Sequence, residues 1–265
     1  MIIGVRAHDY GKHSPADLIG AIAGDGWKTI QLAFPKAIEG IDSFDDVTPE
    51  IVSETKSVLD INGVSVAVLG VYIEPSFIDD PKRKEQVRFF RNMLPHAKTL
   101  QAGCVGTETT TRDENSDIHA LYRSLEEILP EAERIGVNIG IEPVHRHTLH
   151  TPEMTRQMLR DFPSPRLKII FDPLNLLTPD TIDTQNELWK RSIDCFGEYI
   201  TAIHMKGATR ELNNGGMLAD APFESSVLNH EYLFPLIKSM NIPILREGAN
   251  PANSTSDIAF IQKYL

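Results

Sequence analysis

Four side chains that can bind a metal ion follow four mostly apolar segments in the second half of the chain. Glu142, Asp172, His204 and Glu247 each stand directly after such a segment. They lie roughly 30 to 40 residues apart, which is about the length of a βα unit. Short apolar runs of this kind indicate buried parallel strands. The repeat therefore predicts that the four side chains meet at the carboxyl ends of neighbouring strands.

Two glutamates, one aspartate and one histidine would form an oxygen-rich metal site with a single imidazole. This donor set suits Mn²⁺, Mg²⁺ or Co²⁺ better than a thiolate-rich structural zinc site, and Zn²⁺ is a further option. One divalent ion could bind two substrate oxygens, polarise a carbonyl and stabilise the enediolate formed when a neighbouring proton leaves. A carboxylate beside the ion could take that proton. A single glutamate at a strand end usually forms a salt bridge or caps a helix. The repetition at four strand ends is therefore what favours a metal site.

The elements that must position these residues alternate between strand and helix. Eight predicted strands lie at residues 2–5, 29–32, 65–69, 104–106, 138–142, 167–171, 200–204 and 242–246. Several intervening helices begin at a hydroxyl residue followed by proline, as at Ser14, Thr48 and Thr151. No GxGxxG follows the first strand, so a dinucleotide-binding sheet is disfavoured. We predict a single (β/α)8 TIM barrel domain over residues 1–265, close to the usual ~250 residues.

One connection is much longer than the others. Between His204 and Asn229 the chain is polar and contains Gly207, Gly215 and Gly216. Loops longer than about 12–15 residues are usually functional or disordered. We expect a loop on the catalytic face, acting either as a lid or as a mobile surface segment.

Composition limits the partners of the protein. The net charge is −11, from 37 acidic and 26 basic residues, which argues against nucleic acid as the main partner. Cys104 and Cys195 are not in a metal-binding spacing and are expected to be reduced thiols. The longest apolar run, at 64–73, is too short to cross a membrane, and no signal segment is evident. We expect a cytoplasmic protein without a membrane partner, and a homodimer or homotetramer remains open.

Four segments resemble the xylose-isomerase-like TIM barrel superfamily of sugar isomerases and epimerases, which includes ketose 3-epimerases and inosose dehydratases. The segments are Ile141-Glu142-Pro143, Phe171-Asp172-Pro173-Leu174-Asn175, His204-Met205-Lys206 and Arg246-Glu247-Gly248. The resemblance implies one divalent metal ion, held at the four positions described above. It also implies that Glu142 and Glu247 act as the acid/base pair on opposite faces of the reacting carbon.

Further substrate contacts follow from the resemblance and from the strand ends. An arginine six residues after the metal histidine contacts substrate oxygens in those epimerases, and Arg210 has that spacing. A histidine three residues after the metal aspartate is replaced here by Asn175, which could still bind a hydroxyl group. His8 could orient a sugar hydroxyl or belong to a capped loop, and Glu108 could reach the mouth of the barrel. Lys206 could stabilise an oxyanion or pair with a ligand carboxylate.

The function indicated is isomerisation or epimerisation of a small sugar or polyol-derived ketone. An inosose-type dehydratase on the same metal site and a non-catalytic sugar-binding barrel are the alternatives. The three-zinc DNA-repair endonucleases of this superfamily need extra histidines that are missing here, so that function is disfavoured. No Gly-rich phosphate cradle is evident, which favours an unphosphorylated substrate. His145, His147 and His150 crowd after Glu142 and could contact substrate, bind a metal or face solvent.

Overall fold

Eight parallel strands close into a barrel in the computed structural model, which describes residues 1–265. The barrel strands are β1 Ile3–Arg6, β2 Thr29–Leu32, β3 Ser65–Gly70, β4 Cys104–Glu108, β5 Ile139–Glu142, β6 Leu167–Phe171, β7 Ile200–Met205 and β10 Ile244–Arg246. Each strand pairs with the next along the chain, and β10 closes the ring against β1 and β7. The predicted (β/α)8 barrel is confirmed.

Helices cover the outside of the barrel. They are α1 Pro15–Gly24, α2 Phe34–Ala37, α3 Pro49–Asn62, α4 Asp80–Leu100, α5 Ile118–Ile135, α6 Pro152–Asp161, α7 Gln185–Phe196, α8 His230–Lys238 and α9 Ser254–Gln262. The predicted caps form, because the Ser14, Thr48 and Thr151 hydroxyls accept from the backbone N–H three residues later. None of the helices is both long and apolar enough to span a membrane.

The buried residues form two separate clusters. A large cluster of 61 residues lies mainly between the strands and the helices. A small cluster, called the inner core below, consists of Ala67, Val68, Cys104, Ile170, Ala202 and Leu245. Gly106 and Gly140 pair in register beside it, and a Cβ on Gly106 would lie 2.7 Å from Ile170 Cδ1. Because these two glycines have no side chain, Ile170 can occupy the space beside them. Both cysteines are free, as expected.

The long connection after β7 is an ordered hairpin, which corrects the prediction of a loop. Strands β8 Gly207–Leu212 and β9 Leu218–Ala221 pair antiparallel. At the tip, Asn213 Oδ1 accepts from the N–H groups of Gly215 and Met217, at 2.9 and 3.1 Å. Gly216 adopts φ 70°, which a side chain would strain. The Asn-Asn-Gly-Gly run is a hairpin turn, and its glycines serve the turn rather than mobility.

Gly4→Ala should destabilise the barrel, because an added Cβ would overlap the backbone oxygen of Thr29 on the paired strand. We expect the free energy of unfolding in urea to fall by about 1–3 kcal/mol. Gly20→Ala in α1 is the matched control, since nothing lies within 4 Å of its Cβ position. That variant should gain about 0.5–1 kcal/mol from helix propensity. Equal stability of Gly4→Ala and the wild type would contradict the close approach of β1 and β2.

Candidate metal centre and pocket

The predicted ligands lie at the carboxyl ends of the barrel strands for a geometric reason. Side chains alternate along a strand, so residues two apart face the same way. Asp172, His204 and Glu247 each stand two positions after a member of the inner core, namely Ile170, Ala202 and Leu245. Glu142 likewise stands two positions after Gly140, which faces Ile170. All four side chains are therefore directed toward the barrel axis.

Three of the four predicted ligands share one point in space. Glu142, Asp172 and His204 each offer a ligand atom within 4.8 Å of the others, and they are only 2%, 1% and 1% exposed. His204 Nδ1 lies 2.9 Å from Glu142 Oε2 and 3.2 Å from Glu247 Oε1. Glu247 is thus adjacent to this triad through His204, although it is outside the group of three.

The triad could bind a metal ion. His204 Nε2 and Nδ1 are buried and make no aligned hydrogen bond, which is costly for a polar group unless another partner is bound. Asp172 Oδ1 accepts from the backbone N–H groups of Leu174 and Asn175, at 2.8 and 3.1 Å. These bonds fix the carboxylate, and its Oδ2 lies 2.9 Å from Lys206 Nζ. Carboxylate oxygens with an imidazole suit a divalent cation.

Lys206 pairs with the carboxylates of the site. Its Nζ lies 2.9 Å from Asp172 Oδ2 and 3.1 Å from Glu247 Oε2, with only 12% of the side chain exposed. Burial alone would lower the pKa of Lys206, but Asp172 and Glu247 raise it above its usual value. Of the two roles considered for Lys206, the structure therefore shows the ion pair.

The charges of His204 and Glu247 depend on each other. Burial would lower the pKa of His204, but Glu247 and Glu142 raise it to about 9. Burial would likewise raise the pKa of Glu247, but His204, Lys206 and Arg6 hold it well below its usual range. Glu247 is therefore ionised in this arrangement, as a base must be.

Two other acids are shifted the opposite way. Burial raises the pKa of Glu108 to about 8, and the nearby carboxylates of Glu142 and Glu247 add to the effect. Burial also raises the pKa of Asp172, to about 6, although Lys206 opposes the shift. Glu108 is therefore mostly protonated at neutral pH, and a protonated carboxyl can donate a hydrogen bond to a ligand.

A pocket of about 260 Å³ opens above the triad at the mouth of the barrel. Five of the nine predicted site residues line it, namely His8, Glu108, Asn175, Lys206 and Glu247. Sequence reasoning did not single out several others, chiefly Arg6, Lys36, Arg146 and Met217. The alternation along β1 could have indicated Arg6, which stands two residues before His8. Met217 reaches the pocket only because the hairpin folds over it.

Asn175 contacts a metal-site carboxylate directly. Its Nδ2 donates to Glu142 Oε1 at 2.6 Å, and the side chain is buried. The amide therefore holds one oxygen of Glu142 while the other faces His204. Asn175 stands at the position, three residues after Asp172, where the epimerases it resembles have a histidine. Its neutral amide donates a hydrogen bond that orients the Glu142 carboxylate.

Arg210 lies outside the pocket, which departs from the prediction of a substrate contact. Its guanidinium pairs with Asp183 at 2.5 Å, and 59% of its side chain is exposed. The reason is the hairpin: after Gly207 the chain leaves the barrel along β8, so a residue six positions past His204 lies away from the barrel axis. Arg210 has the expected spacing from His204 in the sequence, but its side chain does not reach the pocket.

The three histidines after Glu142 separate in the structure. His147 lines the pocket, and its Nδ1 lies 3.4 Å from Glu108 Oε2. His145 Nδ1 lies 3.2 Å from the Asn175 carbonyl, and His150 Nδ1 lies 3.1 Å from a local carbonyl. None of them belongs to the metal-ligand group.

The fold has clear relatives. Residues 19–264 match the family described as xylose isomerase-like TIM barrel. The chain belongs to that family. No curated protein matches the sequence significantly.

Solved structures of xylose isomerase-like barrels superpose on nearly the whole chain. A D-tagatose 3-epimerase-like protein has a TM-score of 0.79 at 17% identity, over 100% of this chain and 97% of its own. A family protein from Mycobacterium smegmatis, solved with magnesium, has a TM-score of 0.76 at 14% identity, over 99% and 96%. A 3-keto-D-glucoside 4-epimerase from E. coli has 0.76 at 16%, over 99% of both. At these identities the likeness is one of fold.

Adding Mn²⁺, Mg²⁺, Co²⁺ or Zn²⁺ should stabilise the wild type, because a cation held by the triad would bind the folded state and not the unfolded one. At a hundredfold excess over Kd the gain is about 2.7 kcal/mol, read as a shift in Tm. Asp172→Asn should lose most of this shift, whereas Glu126→Gln, an exposed acid on α5, should keep it. If none of the four ions raised Tm, the triad would not be a metal site.

Lys206→Met should destabilise the metal-free protein, because it leaves Asp172 and Glu247 without their shared ammonium group. Removing one partner of a buried ion pair costs about 3–5 kcal/mol, measured by urea unfolding in the presence of a chelator. The control is Lys190→Met, which removes an exposed pair with Asp194 and should leave the midpoint unchanged. If Lys206→Met unfolded at the same urea concentration as the wild type, the ion pairs of Lys206 with Asp172 and Glu247 would contribute nothing to stability.

Proposed function

We propose that the protein is a divalent-metal-dependent isomerase or epimerase of a small sugar or polyol-derived ketone. The observation that supports this most directly is the pair of carboxylates, Glu142 and Glu247, which both contact His204 Nδ1 beneath a polar pocket. Two carboxylates at one reacting carbon can remove a proton and return one. Membership in the xylose isomerase-like family agrees with this chemistry.

The pocket supports a small, polar substrate. Its volume of about 260 Å³ lies just below the ~300–1,000 Å³ usual for ligand pockets. Only three of its 13 lining residues are hydrophobic, which suits a molecule with many hydroxyl groups. A net charge of −11 fits a small-molecule substrate better than nucleic acid. We also infer a cytoplasmic location for such a metabolic enzyme.

The side chains divide the work of proton transfer. Glu247 lines the pocket and is ionised, so we infer that it takes the proton next to the substrate carbonyl. Glu142 is held by Asn175 through one oxygen and is the partner carboxylate for proton return. A divalent ion held by Glu142, Asp172, His204 and Glu247, with Mn²⁺ our first choice, would supply polarisation of the carbonyl. Lys206 keeps Asp172 and Glu247 in place around it.

An inosose-type dehydratase is the second candidate, and Glu108 favours it. Burial and neighbouring carboxylates raise the pKa of Glu108 to about 8, so the group is mostly protonated at neutral pH. Glu108 also lines the pocket. A protonated carboxyl there could give its proton to a leaving hydroxyl group, which departs as water once the neighbouring C–H proton has been removed. Both reactions begin with the same proton abstraction.

Incubation with a panel of ketoses and inososes in D₂O, with Mn²⁺ present, tests proton abstraction by NMR. We expect deuterium next to a carbonyl in the wild type. Loss of a general base typically costs 10²–10⁴-fold, so Glu247→Gln and Glu142→Gln should exchange at least about 100-fold more slowly. Glu126→Gln is the control and should exchange at the wild-type rate.

The labelled position separates the candidates. A deuterium-labelled product that has kept all its hydroxyl groups indicates an isomerase or epimerase. A labelled product that has lost water indicates a dehydratase. Full exchange by Glu247→Gln would remove it from the acid/base role. Absence of exchange in protein shown to hold metal would favour the non-catalytic sugar-binding barrel.

A further inference from the structure

Four cationic side chains line the pocket, and two of them have no carboxylate partner. Arg6 pairs with Asp9 at 2.7 Å, and Lys206 pairs with the acids of the metal site. Lys36 and Arg146 line the same pocket, but their side chains make no ion pair or hydrogen bond. Lys36 and Arg146 therefore lack carboxylate partners in a chain that contains 37 acidic residues.

Lys36 is held at the pocket by an aromatic ring. It belongs to the short helix α2 that follows β2, and its Nζ lies 4.0 Å from the centre of the Tyr72 ring. Such a contact favours a cation over the ring face. Partial burial lowers the pKa of Lys36 from its usual value, and Glu108 offsets this only in part. The ammonium group is therefore directed at the pocket without being neutralised there.

His8 lines the same side of the pocket. Its Nδ1 is buried and has no hydrogen-bond partner within the protein. Burial lowers the pKa of His8 to about 4, and the positive charges of Arg6 and Lys36 contribute to the shift. The cations Arg6 and Lys36, together with the neutral His8, are called the basic corner, which lies at the ends of β1 and β2. A neutral imidazole within it can still donate one N–H.

A cluster of like charges at a pocket is stabilised by a ligand of opposite charge. Arg6 pairs with Asp9 and lies 3.6 Å from Glu247, whereas Lys36 makes no ion pair, and Glu108 and Glu247 act on it only at longer range. A substrate hydroxyl group could accept from Lys36, yet a charged acceptor forms a shorter and stronger bond. The basic corner thus differs from the β5–β7 side of the pocket, where the acidic triad lies.

We propose that the substrate carries an anionic group, a carboxylate or a phosphate, which Lys36 binds in the basic corner while the imidazole of His8, which lines the same pocket, donates a second hydrogen bond. The inference rests on the proposed function for the reacting end of the molecule. The carbonyl end lies over the triad and Glu247, and the anionic end points toward β1 and β2. The small pocket favours a short keto acid or a small sugar phosphate.

The test measures binding of three matched probes to Mn²⁺-loaded protein by calorimetry at constant ionic strength. Glycerate presents a carboxylate, glycerol 3-phosphate presents a phosphate, and glycerol is neutral. We expect at least one anionic probe to bind about tenfold or more tightly than glycerol, the equivalent of one good charge contact. The tighter of the two anions identifies the group that the substrate carries.

Variants locate the anion. Lys36→Met should remove about tenfold of the preference for the anion, and His8→Leu about fivefold, with little change for glycerol. Lys98→Met, at the exposed end of α4, makes the same charge change elsewhere and should keep the preference. Unchanged anion binding in Lys36→Met would mean that the probe binds the metal ion, and loss in Arg146→Gln alone would place the site after β5. Either result overturns the proposal.

These outcomes are independent of turnover. Anion preference that depends on Lys36, without deuterium exchange into any ketone, would overturn the proposed reaction but not the basic corner. Rapid exchange into neutral sugars, with no preference for either anion over glycerol, would overturn the basic corner and leave the proposed reaction in place.

Discussion

The contact of one buried imidazole with two carboxylates is the interaction on which the rest of the site depends. His204 Nδ1 lies 2.9 Å from Glu142 and 3.2 Å from Glu247, and all three side chains are buried. Buried carboxylates are strongly unfavourable without nearby positive charge. His204 and Lys206 supply that charge for Asp172 and its two neighbours. The arrangement is a concentration of negative charge that a divalent cation would complete.

The barrel interior makes this concentration possible. Below the acids, the inner core is built from small and medium side chains, and Gly106 and Gly140 leave space that Ile170 fills. A larger residue at either glycine would push strands apart or displace Ile170. Because Glu142 stands two residues after Gly140, packing at that glycine also sets where the carboxylate points. Barrel packing and site chemistry are therefore coupled along each strand.

The pocket above the barrel is divided by charge. The acids Glu108, Glu142, Asp172 and Glu247 stand at the ends of β4, β5, β6 and β10, whereas the basic corner of Arg6, His8 and Lys36 lies at the ends of β1 and β2. The barrel family supports many reactions, so the side chains that follow the strands decide which one occurs. In this chain the hairpin of β8 and β9 brings Met217 over the pocket, and it carries Arg210 away to Asp183. A small molecule with distinct ends would match this division.

The sequence alone predicted the strands and the barrel, because strand periodicity and strand ends are local properties of the chain. It also predicted that Glu142, Asp172 and His204 lie together, whereas a metal-binding role for these residues and Glu247 stays a prediction. Tertiary structure decided which residues reach the pocket. The spacing of Arg210 from His204 suggested a contact, but the hairpin redirected the chain. Lys36 and Arg146 come from segments with no distinctive pattern, and only closure of the ring places them at one pocket. Side chains that lie close together although about 100 residues separate them produce no periodic pattern in the sequence, because their proximity depends on the whole barrel.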